Sequence, residues 1–407
     1  MTQKRGTVTT VSVLIPSYNH AHFVSAAVNS ALAQTHPDVD IIVIDDGSKD
    51  NTAEVVATFG DAVNYVYQEN QGLSAARNTG IRHARGEYIA LLDADDLWSP
   101  EYLAESLKVI EQNPRAGLTY CWWSHIDENG NPMPEPGFFN KRGHLLKTFA
   151  VRNYFPPVAV LVRKACVAEA GGFDEKLFAL EDWDLWFRIA ANGWEFDCVP
   201  QVLVQYRRHS SNMTLDVPRM ERNQLGVLDK MGQSAVVSEI EHLLPMARAN
   251  VHLNSALSYH SQGKQVESFV SFVTAVKIWP DMLLQEETWY RWVCADQPPG
   301  YQDTSQFKNL DEAAERNSAL LAKLLENPEV AAEVEARQDQ IEKTAMMMLA
   351  THYYLEDDMV GTRRQVFALS RKQPQVLLQS KAVGLLAKSF VGRQRVRNLK
   401  RIIASGS

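Results

Sequence analysis

Apolar and polar positions change period repeatedly along the first hundred residues. Short β-branched runs at 8–15, 40–45, 63–67 and 88–92 read as strands, and the helical patterns at 23–34, 52–59 and 74–84 fall between them. The order β-α-β-α-β-α-β predicts an α/β domain whose largely parallel sheet carries helices on both faces. Ligands of such a sheet gather outside the carboxyl ends of its strands. Three polar loops follow those ends: Pro16-Ser17-Tyr18-Asn19, Asp45-Asp46-Gly47-Ser48 and Asp93-Ala94-Asp95-Asp96.

Further along, the pattern predicts a helix over 100–113 with Pro at its start, a strand near 118–124 and a turn at Asp127-Glu128-Asn129-Gly130. A Pro- and Gly-containing excursion over 132–143, a strand at 158–162 and a helix at 182–191 follow. From about Asn223 onward the signals are helical alone. The expected organisation is an α/β domain over 8–222, an all-α accessory region over 223–379 and a basic amphipathic tail over 380–407. Within the helical region, Tyr259, Gly263, Phe272, Ala275 and Pro280 fall at the spacings of a tetratricopeptide-type hairpin, with a fainter echo at Tyr353, Val366, Leu369 and Pro374. The two prolines lie 94 residues apart, which is no multiple of ~34, so a regular stacked array is not expected. A helical bundle whose core spacing imitates the repeat is the alternative. The acidic, Ala- and Glu-rich stretch 311–345 shows no chemistry that can be assigned.

Composition narrows the setting. A hydrophobic fraction of 45% and a charged fraction of 22% suit a globular protein, and no window approaches the ~20 apolar residues of a membrane span. The first ten residues show neither a long apolar stretch nor a cleavage site. Cys121, Cys166, Cys198 and Cys294 form no C-x-x-C pair, which argues against a zinc or redox motif and suits a reducing cytosol. Charge is uneven. The last acid is Asp358, and setting aside the 11 Lys and Arg after it turns the −8 of the whole chain into −19 for residues 1–358. The expectation is a cytoplasmic protein whose tail meets the inner face of a membrane or another protein, with no nucleic acid among its partners. Internal docking of the tail on the acidic body is the alternative.

The carboxylates carry the candidate chemistry. Asp93-Ala94-Asp95-Asp96 puts three acids on one turn after the apolar Tyr88-Ile89-Ala90-Leu91-Leu92, where hard divalent ions and a diphosphate could be met. The same acids could instead order a turn or cap the following helix. Asp45-Asp46-Gly47-Ser48 could accept hydrogen bonds from a nucleoside, or simply form an Asp-Gly turn. Tyr18 could stack on a base or pack in the core. Neither a G-x-G-x-x-G nor a P-loop follows the first strand, which argues against dinucleotide oxidoreductases and P-loop phosphotransferases.

Six motifs in order resemble the GT-A glycosyltransferase family 2 over about residues 8–215. They are Val11-Ser12-Val13-Leu14-Ile15-Pro16-Ser17-Tyr18-Asn19, Ile44-Asp45-Asp46-Gly47-Ser48, Asn70-Gln71-Gly72-Leu73-Ser74-Ala75-Ala76-Arg77-Asn78, Asp93-Ala94-Asp95-Asp96, Gly171-Gly172-Phe173-Asp174-Glu175 and Glu181-Asp182-Trp183-Asp184-Leu185-Trp186. The resemblance implies a GT-A domain that moves a sugar, with inversion, from a nucleotide-diphosphate sugar to an acceptor hydroxyl, in surface polysaccharide or glycan assembly. It implies that Asp46, Tyr18 and Pro16 surround the nucleotide and that Arg77 and Asp93 lie near it. Asp95, with Asp93, would hold Mn²⁺ or Mg²⁺, and His209 in Tyr206-Arg207-Arg208-His209 would ligate the metal or meet the diphosphate. Asp182 is the expected base, with Glu181 in reserve. The alternative for Arg77 is to brace its helix on a strand-end Asp; for Asp182, to cap a helix; for His209, to sit in a surface loop. Trp183 and Trp186 could stack on a sugar or pack in the core.

Two other functions compete. A nucleotidyltransferase making activated sugars would show a Gly-rich basic loop where this chain has Pro16-Ser17-Tyr18-Asn19. A catalytically silent nucleotide-sugar-binding or scaffold protein would act through its helical region, and the acids at 93, 95, 181 and 182 argue against it.

Overall fold

The computed structural model describes residues 9–133, 137–209, 212, 215–295 and 310–391, and the chain divides into two compact units, Met1–Ala247 and Arg248–Ser407. The first is built on a mixed sheet. Its strands are β1 (Val11–Ser17), β2 (Val39–Asp45), β3 (Asn64–Tyr67), β4 (Tyr88–Leu91), β5 (Leu97–Trp98), β6 (Ala116–Ile126), β7 (Val160–Arg163) and β8 (Glu195–Arg207), in the spatial order β3-β2-β1-β4-β7-β6-β8-β5. The neighbours β3, β2, β1 and β4 run parallel, as the sequence pattern predicts. Strand β7 is antiparallel to β4 and β6, so β6 and its parallel neighbour β8 again point the same way as β4. The carboxyl ends of β1, β2, β4, β6 and β8 therefore meet at one edge.

Helices cover the sheet: α1 (Ala21–Leu32), α2 (Thr52–Ala57), α3 (Leu73–His83), α4 (Tyr102–Gln112), α5 (Leu146–Phe149), α6 (Lys164–Glu169), α7 (Glu181–Ala191) and α8 (Val217–Gly232). Every residue of β1 and β4 is buried, which explains why these strands read as continuous apolar runs. On α1, Phe23, Val24, Ala27, Val28 and Ala31 form the buried stripe. Each such Val or Phe contributes about 1.5–3 kcal/mol by leaving water. At the opposite ends of the strands, Ser12 Oγ donates to Asp40 Oδ2 at 2.9 Å and accepts from the Gly86 amide at 2.8 Å. That polar tie pins the turn into β4 against β1.

One expectation needs adjusting, and one strand shows no clean pattern. The strand placed at 158–162 begins later, because Pro157–Ala159 forms a 3-10 turn. The 13-residue β8 has irregular register against β6, with shifts at Cys121/Trp122 and Trp122/Trp123, and such bulges blur the alternation that marks a strand.

The helical remainder of the chain repeats itself. Helix Leu244–Ser261, helix Gln265–Ile278 and the 3-10 turn Pro280–Leu284 recur 94 positions later as Gln338–Leu355, Met359–Lys372 and Pro374–Leu378. Both helix pairs turn through a positive φ, 74° at Gly263 and 65° at Asp357. The matched residues Phe272 and Val366, and Ala275 and Leu369, are each 0% exposed. Helices Glu286–Val293, Leu310–Glu326 and Ala331–Glu335 separate the copies, so the two hairpins are not consecutive members of an array. The last described helix is Ser380–Val391; the tail residues 392–407 lie outside the described residues.

A Cβ on Gly86 would approach Ser12 N to 2.6 Å and Thr10 O to 2.8 Å, whereas one on Gly226 in α8 would meet nothing within 4 Å. Gly86→Ala is therefore expected to cost about 1–3 kcal/mol. Gly226→Ala should add up to about 1 kcal/mol by helix propensity alone. Urea unfolding midpoints of the two variants should move in opposite directions.

Candidate active site at the carboxyl ends of the strands

Strand β4 ends in the acidic turn, and α3 supplies the cation that organises it. Arg77 is 1% exposed; its Nη2 donates to Asp93 Oδ1 at 2.7 Å, its Nη1 pairs with Glu181 Oε1, and its guanidinium lies 5.4 Å from the Phe173 ring centre. Burial works against its charge, but Asp93 and Glu181 outweigh it and hold Arg77 protonated. A residue expected near a nucleotide thus touches the two acids themselves, which is the bracing arrangement.

The end of β8 fastens the same turn. Asp96 is buried and accepts the Arg207 amide at 2.7 Å, while Arg207 Nε donates to the Asp95 carbonyl at 2.7 Å. Burial, then the charges of Asp95 and Asp93, push the Asp96 carboxyl well above its ordinary range. Two residues further on, His209 Nε2 lies 2.9 Å from Asp95 Oδ2. The His209 ring packs 5.4 Å from Phe23 of α1. His20, just ahead of α1, also feels Asp95, Asp93 and His209; burial lowers its pKa and the charge of Asp95 opposes that. His20 matched no motif, although its place two residues after Tyr18 was a usable signal.

Asp45 and Asp46 play unequal parts at the end of β2. Asp45 accepts the Ser48 amide at 2.8 Å and the Tyr65 hydroxyl at 2.7 Å. Asp46 is 4% exposed and accepts from Gln68 Nε2 at 2.6 Å, the Gln71 amide at 2.9 Å and the Gly72 amide at 2.8 Å, fixing the loop into α3. Gly47, at φ 79°, is required here, because a Cβ would come within 2.8 Å of the Asn70 amide. Pro16 is buried in β1 opposite Ile44, and Tyr18 is 43% exposed, so its ring is available to stack.

The acid pair heads α7. Leu180 takes a left-handed conformation, φ 62°, which a branched side chain adopts at a cost of about 1–3 kcal/mol. Glu181 and Asp182 follow in the first turn, at 4% and 6% exposure. Asp182 Oδ2 accepts from Asn153 Nδ2 at 2.7 Å and Oδ1 from the Trp183 amide at 2.8 Å. Burial, then the neighbouring Glu181, push Asp182 up to about 7. Asn153 was invisible to motif reading because it lies in an irregular stretch between α5 and β7. Trp183 and Trp186 are 2% and 0% exposed, and Trp183 Nε1 donates to Phe149 O at 2.7 Å. Both are core residues, which corrects the idea that either stacks on a sugar.

Other motif residues hold this frame. Asn78 exchanges two 2.9 Å hydrogen bonds with the Phe173 backbone, and Gly172 at φ 75° leaves room for it. Lys230 of α8 bridges Asp174 and Asp184 at 2.5 and 2.6 Å.

Among the described residues no three His, Cys, Asp or Glu side chains form a ready metal cage. The donor set still fits a hard divalent ion: Asp95 and His209 are paired at one strand end, and Asp93 keeps one oxygen outside its 2.7 Å bond to Arg77. Mg²⁺-type sites take one or two carboxylates and fill their remaining positions with water and substrate phosphate.

The sheet, its helical covering and the acids at its carboxyl edge define an α/β protein of the GT-A type. The family model described as glycosyl transferase family 2 matches residues 12–167. An uncharacterized glycosyltransferase of Methanocaldococcus jannaschii is 30% identical over 203 residues, covering 48% of this chain and 70% of that protein. The chain belongs to glycosyl transferase family 2. An uncharacterized glycosyltransferase of Rickettsia typhi is 31% identical over 210 residues, 50% of this chain and 65% of that protein, so the chain spans less than two thirds of this relative. A mannosyltransferase of Pyrobaculum calidifontis, solved in complex with GDP-Man and Mn²⁺, superposes with a TM-score of 0.49 at 17% identity, covering 84% of this chain and 88% of that one.

Removing the Arg77 charge would strand two buried carboxylates. Arg77→Met is expected to cost about 3–5 kcal/mol, the scale for breaking a buried ion pair. Chemical denaturation measures it, and a cost under about 1 kcal/mol, the scale of a surface pair, would show that the bridge is peripheral to the fold.

Proposed function

We propose that the protein is an inverting, metal-dependent glycosyltransferase that moves a sugar from a nucleotide-diphosphate sugar to the hydroxyl of a glycan or lipid-linked acceptor, in the assembly of a surface polysaccharide or related glycan. The observation that carries this reading is the linkage through Arg77 of the strand-end acid Asp93 to the acid pair of α7. Donor-side and acceptor-side carboxylates are thereby fixed on one guanidinium.

Pro16, Tyr18 and Asp46 form the nucleotide side of the edge, with Tyr18 exposed for stacking and Asp46 shaping the loop. Asp95 and His209, with Asp93, would hold Mn²⁺ or Mg²⁺, which when bound supplies positive charge to the leaving diphosphate. Asp182 serves as base. As the acceptor oxygen bonds to the anomeric carbon, the bond from that carbon to the phosphate oxygen breaks. The electron pair leaves with the diphosphate, and the hydroxyl proton goes to a carboxylate oxygen of Asp182. One displacement inverts the carbon. Glu181 is committed to Arg77, which leaves Asp182 as the acid poised near neutrality.

Asp182→Asn is expected to lower transfer by about 10²-fold or more while nucleoside diphosphate binding persists. In the wild type, a base held at about 7 is protonated below that pH and free above it, so transfer should rise with pH through about 7 and level off. Asp95→Asn should abolish the Mn²⁺-dependent rise in melting temperature given by the nucleoside diphosphate. Transfer that survives in Asp182→Asn but vanishes in Glu181→Gln would reassign the base, and a silent wild type that still binds nucleotide would favour a binding protein.

No helix among the described residues is long and apolar enough to cross a membrane. The basic, acid-free tail 380–407 is proposed to rest on an anionic membrane surface. Support comes from helix Ser380–Val391, where Val383, Phe390 and Val391 are exposed on a segment that also carries Lys381 and Lys388. The chain should co-sediment with phosphatidylserine-containing vesicles at low salt, and a chain ending at Gln379 should not. Equal, negligible sedimentation of both would leave internal docking or an acidic protein as the tail's use.

A further inference from the structure

We infer that Phe138 and Trp122 form an aromatic platform that stacks against a pyranose ring of the acceptor, which makes the acceptor a saccharide at its reacting end. This inference rests on the glycosyltransferase reading above and names the acceptor side of that site.

Phe138 is 58% exposed, yet the strap that carries it is tightly fastened. Gly137 donates to the Trp123 carbonyl at 2.7 Å and accepts the Trp123 amide at 3.3 Å, so the strap pairs with β6. The absence of a Cβ at Gly137 lets the strap lie against the Trp123 indole. Further along, Tyr120 donates its hydroxyl to the Lys141 carbonyl, Arg142 donates to the Cys198 carbonyl at 2.7 Å, and Gly143 exchanges two 2.9 Å hydrogen bonds with Phe196. A strap bound at so many points is a rigid mount, and the ring it carries remains more than half exposed.

The mount also sets the ring's neighbours. Trp122 meets Phe138 edge-on, with ring centres 4.9 Å apart and planes at 85°. Its Nε1 donates to Asn140 Oδ1 at 2.9 Å, placing an exposed side-chain amide beside the aromatic pair. Trp122 lies in the later half of β6, whose carboxyl end shares the edge that holds the acids. From the strap the contacts lead to the base. Phe139, next to Phe138, stacks on Tyr154 at 4.5 Å and 27°. Tyr154 N donates to Asn153 Oδ1 at 3.0 Å, which turns Asn153 Nδ2 toward Asp182 Oδ2 at 2.7 Å.

The chemistry of the patch selects its occupant. A pyranose offers an apolar C–H face for an aromatic ring and a rim of hydroxyls for an amide such as Asn140. A lipid tail would need a longer apolar groove than one exposed ring and its edge-on partner supply. A base that accepts a hydroxyl proton needs that hydroxyl presented in a fixed attitude, and stacking of the ring that bears it, or of its neighbour, provides one.

Saturation-transfer NMR on the full chain tests this with a panel of free disaccharides: maltose, cellobiose, mannobiose and chitobiose. At least one should receive saturation, strongest on its ring C–H protons. Phe138→Ala should weaken that sugar's binding about tenfold, and Phe138→Trp should retain it. The melting temperature of Phe138→Ala and its shift with nucleoside diphosphate and Mn²⁺ should match the wild type, since the ring is exposed and is none of the residues assigned to the nucleotide or the metal. Saturation of the sugar that is unchanged in Phe138→Ala, or absent from every disaccharide in the wild type, overturns the platform. Loss of nucleotide response in the wild type would instead overturn the glycosyltransferase reading, so the two failures are distinguishable.

Discussion

The buried guanidinium of Arg77 is the constraint on which the candidate site depends. An isolated charge could not stay at 1% exposure, and Arg77 stays because Asp93 and Glu181 meet it from two directions. The pairing links three elements that are distant in sequence: α3, the turn after β4, and the head of α7. A lysine would carry the charge but not the planar fork that addresses two carboxylates at once. With Glu181 fixed by this pair, burial and that adjacent carboxylate push its neighbour Asp182 up.

Much of the polar chemistry in the motifs is structural in use. Asn78 and Gly172 join α3 to the loop before α7, Lys230 of α8 holds Asp174 and Asp184 together, and Asp46 accepts three hydrogen bonds from the loop into α3. Each satisfies buried polar groups that would otherwise cost about 1–3 kcal/mol. They hold the loops from which Arg77 and the acid pair of α7 emerge. Leu180 shows the same economy in the backbone, where a left-handed residue turns the chain so that both acids enter the first turn of α7.

The early strands and helices were legible because a parallel sheet buried on both faces writes itself as apolar runs separated by amphipathic helices. Strand β8 was half legible: its end, Tyr206-Arg207, belonged to the segment that carries His209, but bulges against β6 broke the alternation earlier in the strand. The two-residue β5 carries too few positions to show any period. In the helical part, Tyr259, Phe272, Ala275 and Pro280 and their partners at 353, 366, 369 and 374 marked a structural repeat whose turns survive even where Gly263 is replaced by Asp357. Acids at strand ends could be found by pattern. Asn153 and Phe138 could not, because their places are set by contacts between segments that no local spacing encodes.

The difference between Glu181 and Asp182 shows why those contacts matter. The two acids are adjacent, nearly equally buried and in the same helical turn, so sequence gives no physical ground to separate them. Their partners do. Glu181 pairs directly with Arg77, whereas Asp182 accepts from Asn153 and the Trp183 N–H, and the charge of Arg77 together with these hydrogen bonds offsets only part of the burial cost and the repulsion of Glu181. One carboxylate is thereby tied into the frame by an ion pair, and the other, pushed up to about 7, can take and release a proton. Neighbouring acids are thus told apart by which of them makes the direct ion pair with a buried arginine and which meets it only at a distance.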